Sequence, residues 1–180
     1  MNHRISIILL AFILFNTLFT SAQELVSPLV SDYGLIYNIP GSVKPDPSIS
    51  YQIVADVSTK SGKAKYINQG LYNLARLVNL HIAGGVDPSK LQVVAAIHGG
   101  ATFATLDNNG YNEKYGMDNP NIELIQQLKD AGVQLFVCGQ SLVIRNDGLE
   151  NVNPQVDISL SAMTIVTEYQ AKGYGLLKFN

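Results

Sequence analysis

Cysteine is almost absent from this chain, since Cys138 is the only one among its 180 residues. A single cysteine excludes an intrachain disulfide, a disulfide-stapled scaffold and any CxxC pair for metal or redox chemistry. Histidine is also scarce. Only His81 and His98 follow the first 22 residues, and their spacing is not that of a zinc site. We therefore expect no metal centre, and Cys138 must be a free thiol or pair with another molecule.

Charged residues make up only 14% of the chain, and the formal net charge is −2. No stripe of lysine and arginine is present, so nucleic acid is a poor partner for this chain. Neither a GxGxxG sequence nor a P-loop occurs, and a nucleotide cofactor therefore lacks its usual motif. We expect no cofactor at all. The high apolar fraction, 47%, favours a homo-oligomer.

Only one long apolar run is present, at residues 5–19, behind the basic start His3-Arg4 and ahead of Thr20-Ser21-Ala22. This layout is typical of a cleavable signal peptide covering residues 1–22, with a retained N-terminal anchor as the alternative. The run is short for a membrane span, which needs about 20 residues. We expect export to the periplasm or beyond the cell, and no stable membrane anchor after cleavage. Cleavage removes one of 12 basic and none of 14 acidic residues, leaving a formal charge of −3.

The rest of the chain divides into two parts. Residues 23–50 contain several prolines and no regular period, which predicts an irregular N-terminal extension. Residues 51–180 alternate short apolar runs, typical of buried strands, with segments of helical spacing. Those segments predict, among others, helices over about residues 64–83 and 159–172, and Asn108-Asn109-Gly110 predicts a turn. Such alternation predicts one α/β domain, a mostly parallel sheet flanked by helices on both faces.

Two predicted strands end in a reactive side chain followed by glycine: Ile97-His98-Gly99 and Val137-Cys138-Gly139. The carboxyl ends of parallel strands meet at one edge of the sheet, where ligands bind in open α/β folds. We therefore expect Cys138 and His98 to lie close together. A helix beginning after Cys138, and a protonated imidazole beside it, would both favour the thiolate, the nucleophilic form of cysteine.

Other residues of this edge are weaker candidates for a ligand pocket: Asp56, Gly99, Gly100, Gly139 and Gln140. The backbone amides of Gly99 and Gly100 could hold an anion, although turn glycines are a sufficient explanation. Asp56 ends the first strand and could equally be a cap or loop carboxylate. Cys138 and His98 have an ordinary alternative as well, since free cysteines are commonly buried as small apolar side chains.

Five segments in order along the chain resemble the DsrE/DsrF-like family, including its exported members: VVAAIHGG (93–100), NPNIELI (119–125), LFVCGQS (135–141), LSAMT (160–164) and QAKGY (170–174). The resemblance extends from about Tyr51 to Leu177. It implies a compact three-layer α/β domain, and it implies oligomers, because the cytoplasmic members of the family assemble into homo- or hetero-oligomers.

Several members of that family pass sulfur as a cysteine persulfide. The resemblance implies that Cys138 is a sulfur acceptor with His98 as its neighbour, and that the partner is a sulfur donor or acceptor protein or a small thiol. The residues leave a second function open, a non-catalytic module that binds a small ligand or assembles through the same edge. The sequence does not decide whether the chain is an enzyme.

Overall fold

The computed structural model describes residues 24–180, so the predicted signal peptide at residues 1–22 lies outside the described part of the chain. Within residues 24–180, no helix is long and apolar enough to cross a membrane. No cis peptide bond occurs in that range.

A parallel sheet forms the centre of residues 51–180. Its strands are β3 (Tyr51–Val57), β4 (Leu91–Ile97), β5 (Gln134–Cys138), β6 (Asp157–Ser159) and β7 (Gly175–Phe179). The order across the described sheet is β6-β5-β4-β3-β7, and every neighbouring pair is parallel. The predicted mostly parallel sheet is therefore confirmed.

Helices cover both faces of this sheet, as predicted. The α-helices of residues 24–180 are α1 (Gln69–Ala83), α2 (Asn108–Tyr115), α3 (Ile122–Asp130), α4 (Gly139–Arg145) and α5 (Ala162–Ala171), with short 3-10 helices at Pro88–Lys90 and Gly99–Thr105. Helices α1 and α3 pack their leucines on one face in the larger apolar core. Helix α5 packs Ala162 and Ile165 on the opposite face, in a second core with Val54 and Val94. The result is a three-layer α/β domain.

The extension is fixed to the domain although most of it has no regular structure. Strands β1 (Leu25–Val26) and β2 (Ile36–Tyr37) form a small antiparallel pair. Gly34, at φ +60°, lies against α1 so closely that a Cβ there would be 2.2 Å from the backbone nitrogen of Arg76. A residue with a side chain would fit neither that backbone conformation nor that contact.

The predicted helices have observed counterparts whose ends differ from the prediction. The first helix was expected from residue 64 and begins at Gln69, because the Asn68 side chain accepts hydrogen bonds from the amides of Gly70 and Leu71 and so caps it. The predicted turn at residues 108–110 is wrong. Those residues form the first turn of α2, where Asp107 accepts a hydrogen bond from Gly110 N at 2.7 Å.

Candidate functional site

The sheet places three of the predicted residues on one face. Side chains alternate between the two faces of a strand, and Val54, Ala96 and Cys138 all belong to the core beneath α5. Asp56 lies two residues after Val54, and His98 two residues after Ala96. Asp56, His98 and Cys138 therefore point to the same side, at the carboxyl ends of three adjacent strands.

These three side chains line one cavity of about 510 Å³ between the sheet edge, the start of α4 and the first turns of α5. Its lining residues are Asp56, His98, Cys138, Gln140, Ser141, Ser161, Ala162, Met163, Val166 and Thr167. The tips of β4 and β5, which carry the two predicted reactive residues, therefore border the same cavity. A cavity of this size holds a small molecule.

Cys138 lies in the wall of this cavity and is 4% exposed. It is the last residue of β5 and immediately precedes α4. As a thiol, its Sγ donates a hydrogen bond to Ser161 Oγ at 3.9 Å, whereas the thiolate accepts from that hydroxyl. Ser161 is the N-cap of α5 and also accepts a hydrogen bond from Met163 N at 3.2 Å. The thiol is therefore placed against the beginnings of two helices.

Burial alone would raise the pKa of Cys138, because it disfavours the charged thiolate. Hydrogen bonds from the Ser141 side chain, the backbone amides of Ala162 and Ser141, and the Ser161 side chain outweigh burial. The pKa of this thiol is therefore lowered from its usual value. The sequence led us to expect that helix amides favour the thiolate, and two backbone amides do so. The contribution of the two serine hydroxyl groups was not expected.

The His98 side chain forms its hydrogen bond with Asp56. Its Nε2 lies 2.5 Å from Asp56 Oδ1, and Lys178 Nζ lies 3.6 Å from the other oxygen of that carboxylate. The His98 side chain is 33% exposed and that of Asp56 18%. His98 was expected to act directly on the thiol. Within residues 24–180, however, the hydrogen bonds that favour the thiolate come from serines and amides.

The three glycines predicted for this edge are close to the cavity but do not line it. The Gly99 amide donates to Ser141 Oγ at 3.3 Å and so ties β4 to α4. A Cβ on Gly100 would lie 2.8 Å from Lys60 Cβ, and one on Gly139 would lie 2.9 Å from Ser159 O. These glycines permit close packing of the backbone, whereas Gln140 does line the cavity.

Sequence reasoning missed Ser161, Ala162 and Met163, which bring α5 into the site. The predicted helix began at Ser159, so Ser161 was placed inside it. In the structure Ser159 belongs to β6 and pairs with Cys138, which leaves Ser161 as the cap. The available indication was that Ser161 comes immediately before Ala162, the first apolar position of the helix.

No group of three His, Cys, Asp or Glu side chains within residues 24–180 is arranged to hold a metal ion. The donors around Cys138 are hydroxyl and amide groups, which suit an anion better than a cation. The arrangement can hold a thiolate or another sulfur anion on Cys138, with the His98 imidazole in the same cavity.

Comparisons with known proteins agree with this fold. The family model of the DsrE/DsrF-like family matches residues 52–179. Protein MTH1491 of Methanobacterium thermoautotrophicum, described as of unknown function, superposes with a TM-score of 0.54 at 13% identity, covering 72% of this chain and 99% of that one. The ychN protein of E. coli has a TM-score of 0.53 at 16% identity, with the same coverage. The search of curated proteins found no match.

Proposed function

The chain belongs to the DsrE/DsrF-like family, and on that basis we propose that it carries sulfur as a persulfide on Cys138. The family is associated with sulfur relay. The observation that supports the proposal most is the setting of the thiol, a cysteine with a lowered pKa in the wall of a cavity of small-molecule size. Thiolate is the form that attacks sulfur.

In the proposed reaction the Cys138 thiolate attacks the outer sulfur of a donor persulfide, RS–SH. A bond forms between Cys138 Sγ and that sulfur, the donor S–S bond breaks, and the donor leaves as RS⁻, which takes up a proton. Sulfur moves with no net oxidation. The Ser141 and Ser161 hydroxyls and the Ala162 amide, which favour the thiolate, stabilise the persulfide anion in the same way.

A second function uses the same cavity without sulfur chemistry. Met163 and Val166 give it an apolar wall, and its volume of about 510 Å³ lies in the range of ligand pockets. In that case the chain binds a small molecule and Cys138 is part of the wall. Replacement of Cys138 by serine would then leave binding unchanged.

We also propose that the protein is exported after removal of residues 1–22 and that it works as a homo-oligomer. The basic start, apolar run and small residues of that segment support export. Exposed apolar side chains on the elements around the cavity support assembly: Val143 (67% exposed), Ile144 (84%), Leu160 (74%) and Met163 (75%). We refer to these four as the apolar rim.

Intact mass spectrometry tests the sulfur carrier and its export together. The full chain is expressed in a cell with a periplasm, purified from that compartment and incubated with glutathione persulfide. We expect a protein that begins at Gln23 and gains the mass of one sulfur atom. Treatment with a reductant should remove that added mass. Cys138→Ser is expected to gain nothing.

Absence of the added sulfur from wild-type protein, under conditions where iodoacetamide alkylates Cys138, would contradict the carrier function and favour the ligand-binding one. A retained N-terminal segment in the same spectrum would contradict cleavage after Ala22. These two outcomes are read independently from one measurement.

A further inference from the structure

Asp56 and His98 form a pair of side chains that is absent from the hydrogen bonds favouring the Cys138 thiolate. Their side chains meet at 2.5 Å, and both line the cavity that contains Cys138. The hydrogen bonds that favour the thiolate already come from Ser141, Ser161 and Ala162. An imidazole is therefore not needed to activate this cysteine, and the pair calls for a different role.

The reaction proposed for Cys138 has one remaining requirement, a proton for the departing thiolate RS⁻. Alkyl thiolates are basic, and they leave more slowly than thiolates of lower pKa. An imidazole is the side chain that most readily donates a proton near neutral pH. His98 follows β4 and Cys138 ends the neighbouring strand β5, and both side chains line the cavity that a sulfur donor must enter.

We propose that His98 is the catalytic acid that protonates the leaving thiol of the sulfur donor, and that Asp56 is its positioning residue. This inference rests on the proposed sulfur-carrier function. Asp56 Oδ1 accepts a hydrogen bond from His98 Nε2. This bond fixes the orientation of the imidazole ring and leaves its Nδ1 to exchange the proton with the leaving thiol.

In the balanced step, RS–SH, Cys138–S⁻ and protonated His98 give Cys138–S–SH, RSH and neutral His98, with the proton passing from His98 to the donor sulfur as the S–S bond breaks. Neutral His98 then regains a proton from solvent, through the exposed third of its side chain. No oxidant or reductant is consumed. The donor class implied is a small alkyl persulfide, since its leaving group is the kind that benefits from an acid.

The test compares two reagents that differ in their need for a proton. Glutathione persulfide releases an alkyl thiol, whereas dithiobisnitrobenzoate releases an aromatic thiolate that leaves without protonation. Because acid catalysis typically contributes about 100-fold or more, we expect His98→Gln to slow sulfur uptake from glutathione persulfide by about that factor. Its rate with dithiobisnitrobenzoate should stay within about twofold of wild type.

Asp56→Asn should show the same selectivity with a smaller loss, about tenfold. Lys178→Gln is the matched control, because it alters the other neighbour of the Asp56 carboxylate, at 3.6 Å, without touching the ring. It should leave both rates near wild type. An unchanged dithiobisnitrobenzoate rate also shows that each variant is folded with a reactive thiol.

Equal slowing of both reagents in His98→Gln would overturn the inference, because it would mean that the thiolate or the cavity had changed. A wild-type rate with glutathione persulfide would overturn it as well. Both outcomes require that the wild-type protein accepts sulfur. If it accepts none, the sulfur-carrier function itself fails.

Discussion

Two opposing influences act on the ionisation of the Cys138 thiol. Burial disfavours the thiolate, and hydrogen bonds from two serines and two backbone amides favour it by more. These donors come from α4 and from the cap of α5, so neither helix alone makes the site. A sulfur anion on Cys138 would meet the same donors.

Ser161→Ala is expected to raise the pKa of Cys138, because the thiolate loses a hydrogen-bond donor while the burial of the thiol stays. The midpoint of the pH dependence of iodoacetamide alkylation should move to higher pH, and the rate at neutral pH should fall several-fold. Thr167→Val is the control. Thr167 lines the same cavity but donates its hydroxyl to Met163 O, at 2.8 Å.

An unchanged midpoint in Ser161→Ala would show that its hydroxyl does not contribute to the thiolate. A midpoint in wild-type protein at or above that of an unperturbed thiol, about 8.5, would contradict the low pKa itself and remove the main support for a persulfide carrier.

Helix α1 holds the N-terminal extension through one buried side chain. Asn79 is fully buried, and its Oδ1 accepts from the amides of Leu29 and Val30 at 3.0 and 2.9 Å. Its Nδ2 donates to the carbonyls of Val30, Tyr33 and Gly34. Buried amides without partners are costly, so this one side chain fixes a turn of the extension against the domain.

Asn79→Ala is expected to lower the free energy of unfolding by about 3 kcal/mol, because it leaves buried backbone groups unpaired. The extension should also become accessible to thermolysin well below the unfolding transition. Asn73→Ala, on the same helix, removes only a hydrogen bond from Gln69 Nε2 and should change stability little. Urea unfolding with proteolysis measures both effects, and equal stabilities of the two variants would contradict the anchoring role.

Strand positions were predictable because a buried parallel strand is almost wholly apolar. The runs at residues 51–57 and 91–97 coincide with β3 and β4. The contacts of the site were harder to predict. The Asp56–His98 bond depends on β3 and β4 being neighbours in register, and Ser161 reaches Cys138 only because β6 pairs with β5. Neither strand pairing can be predicted from the local sequence pattern of a single strand.

At the scale of the whole molecule, the smaller apolar core is covered by fewer residues than the larger one. Helix α5 is the main cover of that sheet face in the described chain. The apolar rim, residues 143, 144, 160 and 163, is exposed on α4, on α5 and just before α5, and Met163 also lines the cavity. Side chains of this kind are commonly buried between subunits.

Ile144→Glu combined with Met163→Glu is therefore expected to dissociate the proposed homo-oligomer, because two carboxylates would be buried in an apolar contact. Val43→Glu is the control, since Val43 is fully exposed on the extension, outside the apolar rim. Light scattering of the three proteins at equal concentration measures the masses. We expect wild type and Val43→Glu to share a mass that is a multiple of the chain's, and the rim variant to approach one chain. A monomeric wild-type protein would contradict assembly, and an oligomeric rim variant would place the interface elsewhere on the surface.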